Sequence, residues 1–193
     1  RELFAKYFDS SIEVPGPDID LLCQAANGNQ VGLCIGVVER GTAGDRRTLY
    51  CTLVFIDEKG NLLGKHRKLK PTAAERYIWG EGKGDSIKVY LSSVGRLGGL
   101  VCWENMMPLA RRALYEQGIE LYLAPTADNR DSWRRSMQHI AQESRAFVLS
   151  CNQHFEMDDY PPEFRAQVQD EGSEAFSHGG SMIVDPFGEI IAG

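Results

Sequence analysis

The residues best suited to covalent chemistry fall in two short stretches. The first is Gly98-Gly99-Leu100-Val101-Cys102-Trp103-Glu104-Asn105. An apolar run of strand period ends there at a thiol, and a helical pattern follows directly. Such a junction lifts a side chain out of the carboxyl end of a sheet and aims helix N–H groups at it. The same geometry presents the serine of the nucleophile elbow in other hydrolases. Those donors and a nearby cation would favour thiolate, the nucleophilic form. The other reading of Cys102 is a small buried hydrophobe, the commonest use of cysteine. The second stretch is Lys65-His66-Arg67-Lys68-Leu69-Lys70-Pro71-Thr72. It reads as a solvated basic edge strand, where lysine discourages edge-to-edge pairing. Alternation, however, puts His66 and Lys68 on one face of it. His66 invites a Cys–His dyad, but nothing in the sequence brings it to Cys102.

The elements that must position these residues alternate in period. Leu3, Phe4, Tyr7 and Phe8 recur at helical spacing until Pro15-Gly16-Pro17 breaks the pattern. Residues 18–26 read as a short helix stopped at Asn27-Gly28. Residues 31–40 and 47–57 are rich in strand formers, and Glu58-Lys59-Gly60-Asn61 turns the second run into 62–69. Two further strands are expected at 87–91 and 97–102. From Cys102 the period becomes helical, with Met106, Ala110, Ala113, Leu114 and Gln117 on one face, Pro108 in the first turn and Gly118 as the stop. A buried strand at 119–124 follows. The next helix opens near Asp131 or Ser132 with Trp133, Met137, Ile140, Ala141 and Ser144 as its inner stripe, and a strand at 147–152 succeeds it. Residues 154–178, acidic and without clear period, read as a long surface loop. Residues 181–185 and 189–192, split by Pro186-Phe187-Gly188, form a last hairpin. This order implies an α/β sheet, and with no linker or repeat the chain reads as a single domain over 1–193.

Composition narrows the function. A net charge of −6 argues against a general nucleic-acid or anionic-membrane binder. No apolar run approaches the roughly 18 residues of a membrane span. The five cysteines, odd in number and scattered, suit reduced thiols in a cytoplasmic protein better than a disulfide framework. Neither they nor the four histidines have metal-ligand spacing, so neither a metal nor an organic cofactor is expected.

Together, HRKLKPTAAERYIWGEG and GGLVCWENMMPLAR resemble the nitrilase branch of the carbon–nitrogen hydrolase superfamily. APTADNRDSWRRSMQHIAQESRAFVLSCNQ and GGSMIVDPFGEIIAG fit the same branch, so the resemblance spans the chain. It implies a four-layer αββα sandwich, Cys102 as nucleophile and Lys68 as catalytic lysine. Glu75, seven positions after Lys68 (75 − 68 = 7), matches a second glutamate that supports the lysine or the attacking water. Its plainer reading is a solvent-facing loop carboxylate. The general-base glutamate of the family's Glu–Lys–Cys triad lies in a Pro-Glu motif followed by Gly-Tyr-Pro, which this chain lacks. Arg1-Glu2-Leu3-Phe4 resembles the stretch after that motif, so Glu2 and Glu13 are no substitutes. The chain is therefore expected to be partial at both ends and inactive by itself.

The implied reaction is hydrolysis of a nitrile to the acid and ammonia through a cysteine thioimidate. Lys68 and the backbone N–H of Trp103 would stabilise the developing anion. Trp79, Trp103, Thr126 and Trp133 could line an apolar substrate pocket, although Trp133 also fits its helix's core stripe. Asn105 could contact substrate or cap the elbow. Glu104 is expected to stabilise the following helix's N-terminus by its charge. Amide or N-carbamoyl hydrolysis is the rival within the fold, and a non-catalytic scaffold is the rival outside it. The resemblance also implies a homodimer extending into a spiral, with 107–117 and 132–145 as candidate surfaces.

Overall fold

A run of strand formers after Gly32 and a tight turn at Gly60 produce three consecutive antiparallel strands. The structure, a computed structural model, describes residues 2–42, 44–45, 47–170 and 177–193. It divides into two compact units, Arg1–Leu123 and Ala124–Gly193.

The first unit contains α1 (Glu2–Asp9), α2 (Pro17–Asn29), β1 (Leu33–Arg40), β2 (Leu49–Ile56), β3 (Leu62–Arg67), β4 (Tyr90–Ser92), β5 (Gly95–Gly99), α3 (Pro108–Tyr115) and β6 (Leu121–Leu123). Helix α2 runs past the expected stop at Asn27-Gly28 and ends where Gln30 turns left-handed. Its apolar face is buried, which outweighs the roughly 1 kcal/mol an internal glycine costs. Strands β1, β2 and β3 pair in sequence order, with Leu33 opposite Ile56 and Thr52 opposite Arg67.

The two-residue period sorts this sheet into two faces. Val54 and Ile56, with Leu33, Ile35, Val37 and Leu62, pack against Val14 and the α2 residues Ile19 and Ala26. Each such side chain contributes about 1.5–3 kcal/mol when fully buried. The opposite face carries Leu53, Phe55 and His66. The Phe55 ring lies 5.1 Å from that of Tyr90, so β4 covers this face. Strands β4 and β5 pair antiparallel, while β5 and β6 run parallel and are joined through α3, whose Ala110 and Leu114 are buried. A Cβ at Gly99 would come within 2.1 Å of the Leu123 carbonyl oxygen, so only glycine permits that parallel approach.

The second unit contains α4 (Asp131–Ser144), β7 (Phe147–Ser150), β8 (His154–Phe155), α5 (Pro162–Asp170), β9 (Ser177–His178), β10 (Met182–Val184) and β11 (Ile190–Ala192). Strand β10 pairs antiparallel with both β7 and β11. Trp133, Met137, Ile140 and Ala141 form the buried stripe of α4. Trp133 belongs to the core, 1% exposed with its indole N–H donating to Ser150 Oγ at 2.9 Å, and it also borders a cavity with Asp128, Asn152 and Ser181. The surface loop expected over 154–178 instead holds a 3₁₀ turn at Met157–Asp159, helix α5 and the β8–β9 pair. Pro162 opens α5 in the position where a missing N–H costs nothing, so the prolines that suggested a loop mark a helix start. Residues 171–176 of that expectation lie outside the described residues. Among the described residues, no helix is long and apolar enough to cross a membrane.

Candidate active site

Cys102 sits three residues beyond the last residue of β5, after Leu100 has extended the ladder by donating its N–H to the Leu123 carbonyl at 3.2 Å. Its backbone is left-handed, with φ of 51°. That conformation costs a non-glycine residue roughly 1–2 kcal/mol and persists only when its surroundings over-determine it. Asn105 supplies much of that constraint. It is fully buried, its amide donates to the carbonyls of Leu100 (3.0 Å) and Cys102 (2.8 Å), and its oxygen accepts from Tyr122 Oη at 2.7 Å. Its carboxamide is thus committed to the elbow. The helix expected directly after Cys102 is displaced: Cys102–Met106 is a 3₁₀ turn, Met107 is extended, and α3 begins at Pro108. The proline disfavours helical geometry at the residue before it, which separates the thiol from the α-helix start.

Lys68 follows β3 and continues its ladder by donating its N–H to the Cys51 carbonyl at 2.8 Å. The residue is 1% exposed, so its ammonium needs partners. Nζ donates to Glu75 Oε2 at 2.6 Å and to Thr72 Oγ1 at 3.0 Å. Glu75 is fixed in turn: its carboxylate accepts from the Thr72 N–H at 2.5 Å, and its own N–H donates to the Thr72 carbonyl at 2.9 Å. Two of the three ammonium donors are engaged among the described residues. Gly82 locks the segment from outside, donating its N–H to the Lys68 carbonyl at 2.9 Å where a Cβ would collide with the Arg67 carbonyl at 2.1 Å.

One carboxylate joins these two segments. Glu104, 2% exposed, accepts from the Leu69 N–H at 2.7 Å and from the Val101 N–H at 3.0 Å. It therefore holds the residue after Lys68 and the residue before Cys102. It also pairs with His66 Nε2 at 3.0 and 2.9 Å, while His66 Nδ1 meets Ser86 Oγ at 2.8 Å. As expected, Glu104 caps the N-terminus of the helical turn that follows the thiol, here the 3₁₀ turn Cys102–Met106, through the Val101 N–H, and in addition it holds the lysine segment through Leu69. The Cys51 thiol lies behind the site. Burial pushes it up to about 12 against the pull of Lys68, and Glu75, Glu104 and Cys102 all act on it electrostatically.

The remaining candidates divide. The indole of Trp79 donates to Tyr7 Oη at 3.0 Å. Burial raises the Tyr7 phenol above its ordinary range, the Trp79 bond opposes this, and Cys51 and Glu75 add to the rise. Tyr7 thus lies within electrostatic reach of Glu75, although its sequence signal was only that of an amphipathic helix. Trp103 is 43% exposed beside the thiol. Thr126 belongs to the second unit, where its N–H donates to the Cys151 carbonyl at 2.9 Å and its hydroxyl accepts from the Asp128 N–H at 3.0 Å.

Residues 2–193 match the carbon–nitrogen hydrolase family. A bifunctional nitrilase/nitrile hydratase of Nicotiana tabacum is 49% identical over all of this chain. Nitrilase 2 of Arabidopsis thaliana is 47% identical and a nitrilase of Bradyrhizobium diazoefficiens 42%, again over 100% of the chain. The chain spans 56%, 57% and 59% of these relatives' own lengths. Among solved structures, a branch 10 nitrilase-superfamily member of Saccharomyces cerevisiae superposes with a TM-score of 0.78 at 21% identity, covering 98% of this chain and 65% of that one. A carbon–nitrogen hydrolase of Helicobacter pylori gives 0.74 at 21% identity, covering 91% and 62%. These likenesses establish the α/β sandwich fold of that superfamily.

Proposed function

The chain belongs to the carbon–nitrogen hydrolase family, and from that premise we propose that the full-length protein hydrolyses a nitrile to its carboxylic acid and ammonia. Cys102 is the nucleophile, Lys68 the cationic stabiliser of the developing anion, and Glu75 the group that holds Lys68. The observation that carries this reading is a cysteine kept left-handed at a strand end and tied, through Glu104, to the segment bearing a buried lysine. The names of the relatives favour nitriles as substrates.

A nitrile carbon is a weak electrophile, so a thiolate is the fitting attacker. The S–C bond forms as one C≡N π-bond breaks, and the thiol proton passes to nitrogen to give a thioimidate. The remaining Lys68 donor offsets charge building on that nitrogen. Water then adds to the carbon, the protonated nitrogen leaves as ammonia, and a second water cleaves the thioester to acid and free thiol. The triad's general acid/base is not assigned to a residue of this chain. Trp79 and Trp103 border the substrate, while Asn105 shapes the elbow. Thr126 contributes to substrate binding only by the family resemblance. Both compact units belong to one carbon–nitrogen hydrolase domain, acting in the reducing cytoplasm as a homo-oligomer.

The test is ammonia release by the full-length protein from benzonitrile, phenylacetonitrile and the matching amides. Nitrile turnover with an adduct on the Cys102 peptide is the expected result. Turnover of amides alone, or an adduct on another cysteine, would overturn it.

A further inference from the structure

Among the buried ionisable groups that the mechanism leaves unused, two lie between the reacting segments. His66 is 1% exposed and Glu104 2% exposed; they pair with one another, His66 also meeting the Ser86 hydroxyl and Glu104 two backbone N–H groups. They sit at mirrored places in the two functional stretches: His66 two residues before Lys68, Glu104 two residues after Cys102. Resting on the nitrilase reading, we infer that the Glu104 carboxylate, braced by His66, is the positioning residue that sets the reach between Lys68 and Cys102.

A carboxylate is acceptor-only, and here it receives three donors from two segments whose backbone donors are 32 positions apart (101 − 69 = 32). Oε1 takes the Leu69 N–H, Oε2 takes the Val101 N–H, and His66 Nε2 lies within 3.0 Å of both oxygens. The backbone on either side of the reacting pair therefore hangs from one rigid group. Ser86 on the far nitrogen of His66 fixes the ring's orientation, as an outer partner does for a histidine that must hold one direction. No uncharged side chain can replace this junction. In a glutamine, one oxygen becomes an NH₂ that confronts an N–H donor, so one of the two segments must move.

Neither residue is placed against substrate, so the inference predicts a loss in kcat with KM retained. A displacement of about 1 Å at reacting groups can cost about 10²-fold in rate. It also predicts a change in products. The tetrahedral intermediate formed by water either breaks its C–N bond, with protonated nitrogen leaving as ammonia, or breaks its C–S bond, with thiolate leaving and amide released. Moving Lys68 away from the nitrogen weakens support for the first path, and the amide share rises.

The experiment uses the full-length protein with Glu104→Gln, Glu104→Asp, His66→Ala and His66→Gln, and Glu116→Gln as an exposed control. Kinetics are normalised to titratable Cys102, so misfolded molecules do not count. Glu104→Gln should lower kcat by about 10²-fold with KM within about twofold and a raised amide-to-acid ratio. His66→Ala should lose about tenfold, and His66→Gln, which keeps a donor, should recover part of it. Glu116→Gln should match wild type. Unchanged kcat per site and an unchanged product ratio in Glu104→Gln, with only a lower melting temperature, would overturn the inference and reduce the pair to a tether. A wild-type protein that hydrolyses neither nitrile nor amide would instead overturn the proposed function, and this inference with it.

Discussion

Strand β3 and the residue that continues it carry cations on both faces, and the two faces use them differently. On the α2 side, Lys65 and Arg67 converge on Glu39, which is fully buried and also accepts from Thr52 Oγ1 at 2.7 Å. Lys65 Nζ lies 2.6 Å from this carboxylate, and Arg67 grips it with Nε at 3.0 Å and Nη2 at 2.6 Å. Burial alone would push the Glu39 carboxyl up, but the bonds from Arg67, Lys65 and Thr52 hold it below the usual carboxylate range. Arg67 also stacks over the Tyr50 ring, 3.8 Å from its centroid. On the elbow side, Lys68 meets Glu75 through a single donor and Thr72 through another. A closed cluster whose anion is saturated serves stability. A buried cation with a donor to spare is what a developing anion requires.

The largest expected effect removes the elbow side's nucleophile. Cys102→Ala or Cys102→Ser should abolish ammonia release, because neither side chain can supply the thiolate attack. Next comes Lys68→Ala, which should cost about 10²–10³ in kcat, as for loss of one preorganised donor. Lys68→Arg should fail as well, because a planar fork cannot replace a compact ammonium between Glu75 and Thr72. Near-normal kinetics in a folded Lys68→Ala enzyme would erase the contrast between the faces.

The opposite face should respond the opposite way. Glu39→Gln should cost about 3 kcal/mol of stability in urea unfolding, the low end for a broken buried pair because Lys65 and Arg67 can turn to water. Its kcat per titrated site should be unchanged. Because the folded-state carboxyl is depressed, its stabilisation is present above the ordinary carboxylate pKa and lost as pH falls through the lowered value. The gap between variant and wild type should therefore close in acid.

The smallest effect concerns Cys51, behind the site. Its folded thiol keeps its proton until about 12, whereas the unfolded one releases it near 9.0. Between those values the unfolded chain binds fewer protons, so stability falls as pH rises, by up to about 1.4 kcal/mol per pH unit. Cys51→Ala should flatten that alkaline decline in urea midpoints measured across the window. An unchanged slope would mean that the thiol is better solvated than its burial implies.

The amino-acid sequence by itself determined the parts whose rules are local. Two-residue alternation in β3 put His66 and Lys68 together on one face, and the helical stripe of α4 named Trp133, Met137, Ile140 and Ala141 as core. Pro108 marks a helix start in the sequence, and it also bars helical geometry at Met107, so Cys102 lies in a separate 3₁₀ turn. What only the tertiary structure decided was partnership. Glu104 and Leu69 are 35 positions apart (104 − 69 = 35), Tyr7 and Trp79 are 72 apart (79 − 7 = 72), and no periodicity couples such distant residues. Glu39 and Glu104 are both glutamates beside strand residues. One became the anchor of a cation cluster and the other the junction of a site because sheet pairing brought Lys65 and Arg67 to the first, and tertiary packing brought His66 and Leu69 to the second. Burial then made each partnership obligatory, since a carboxylate without water must find its donors within the protein.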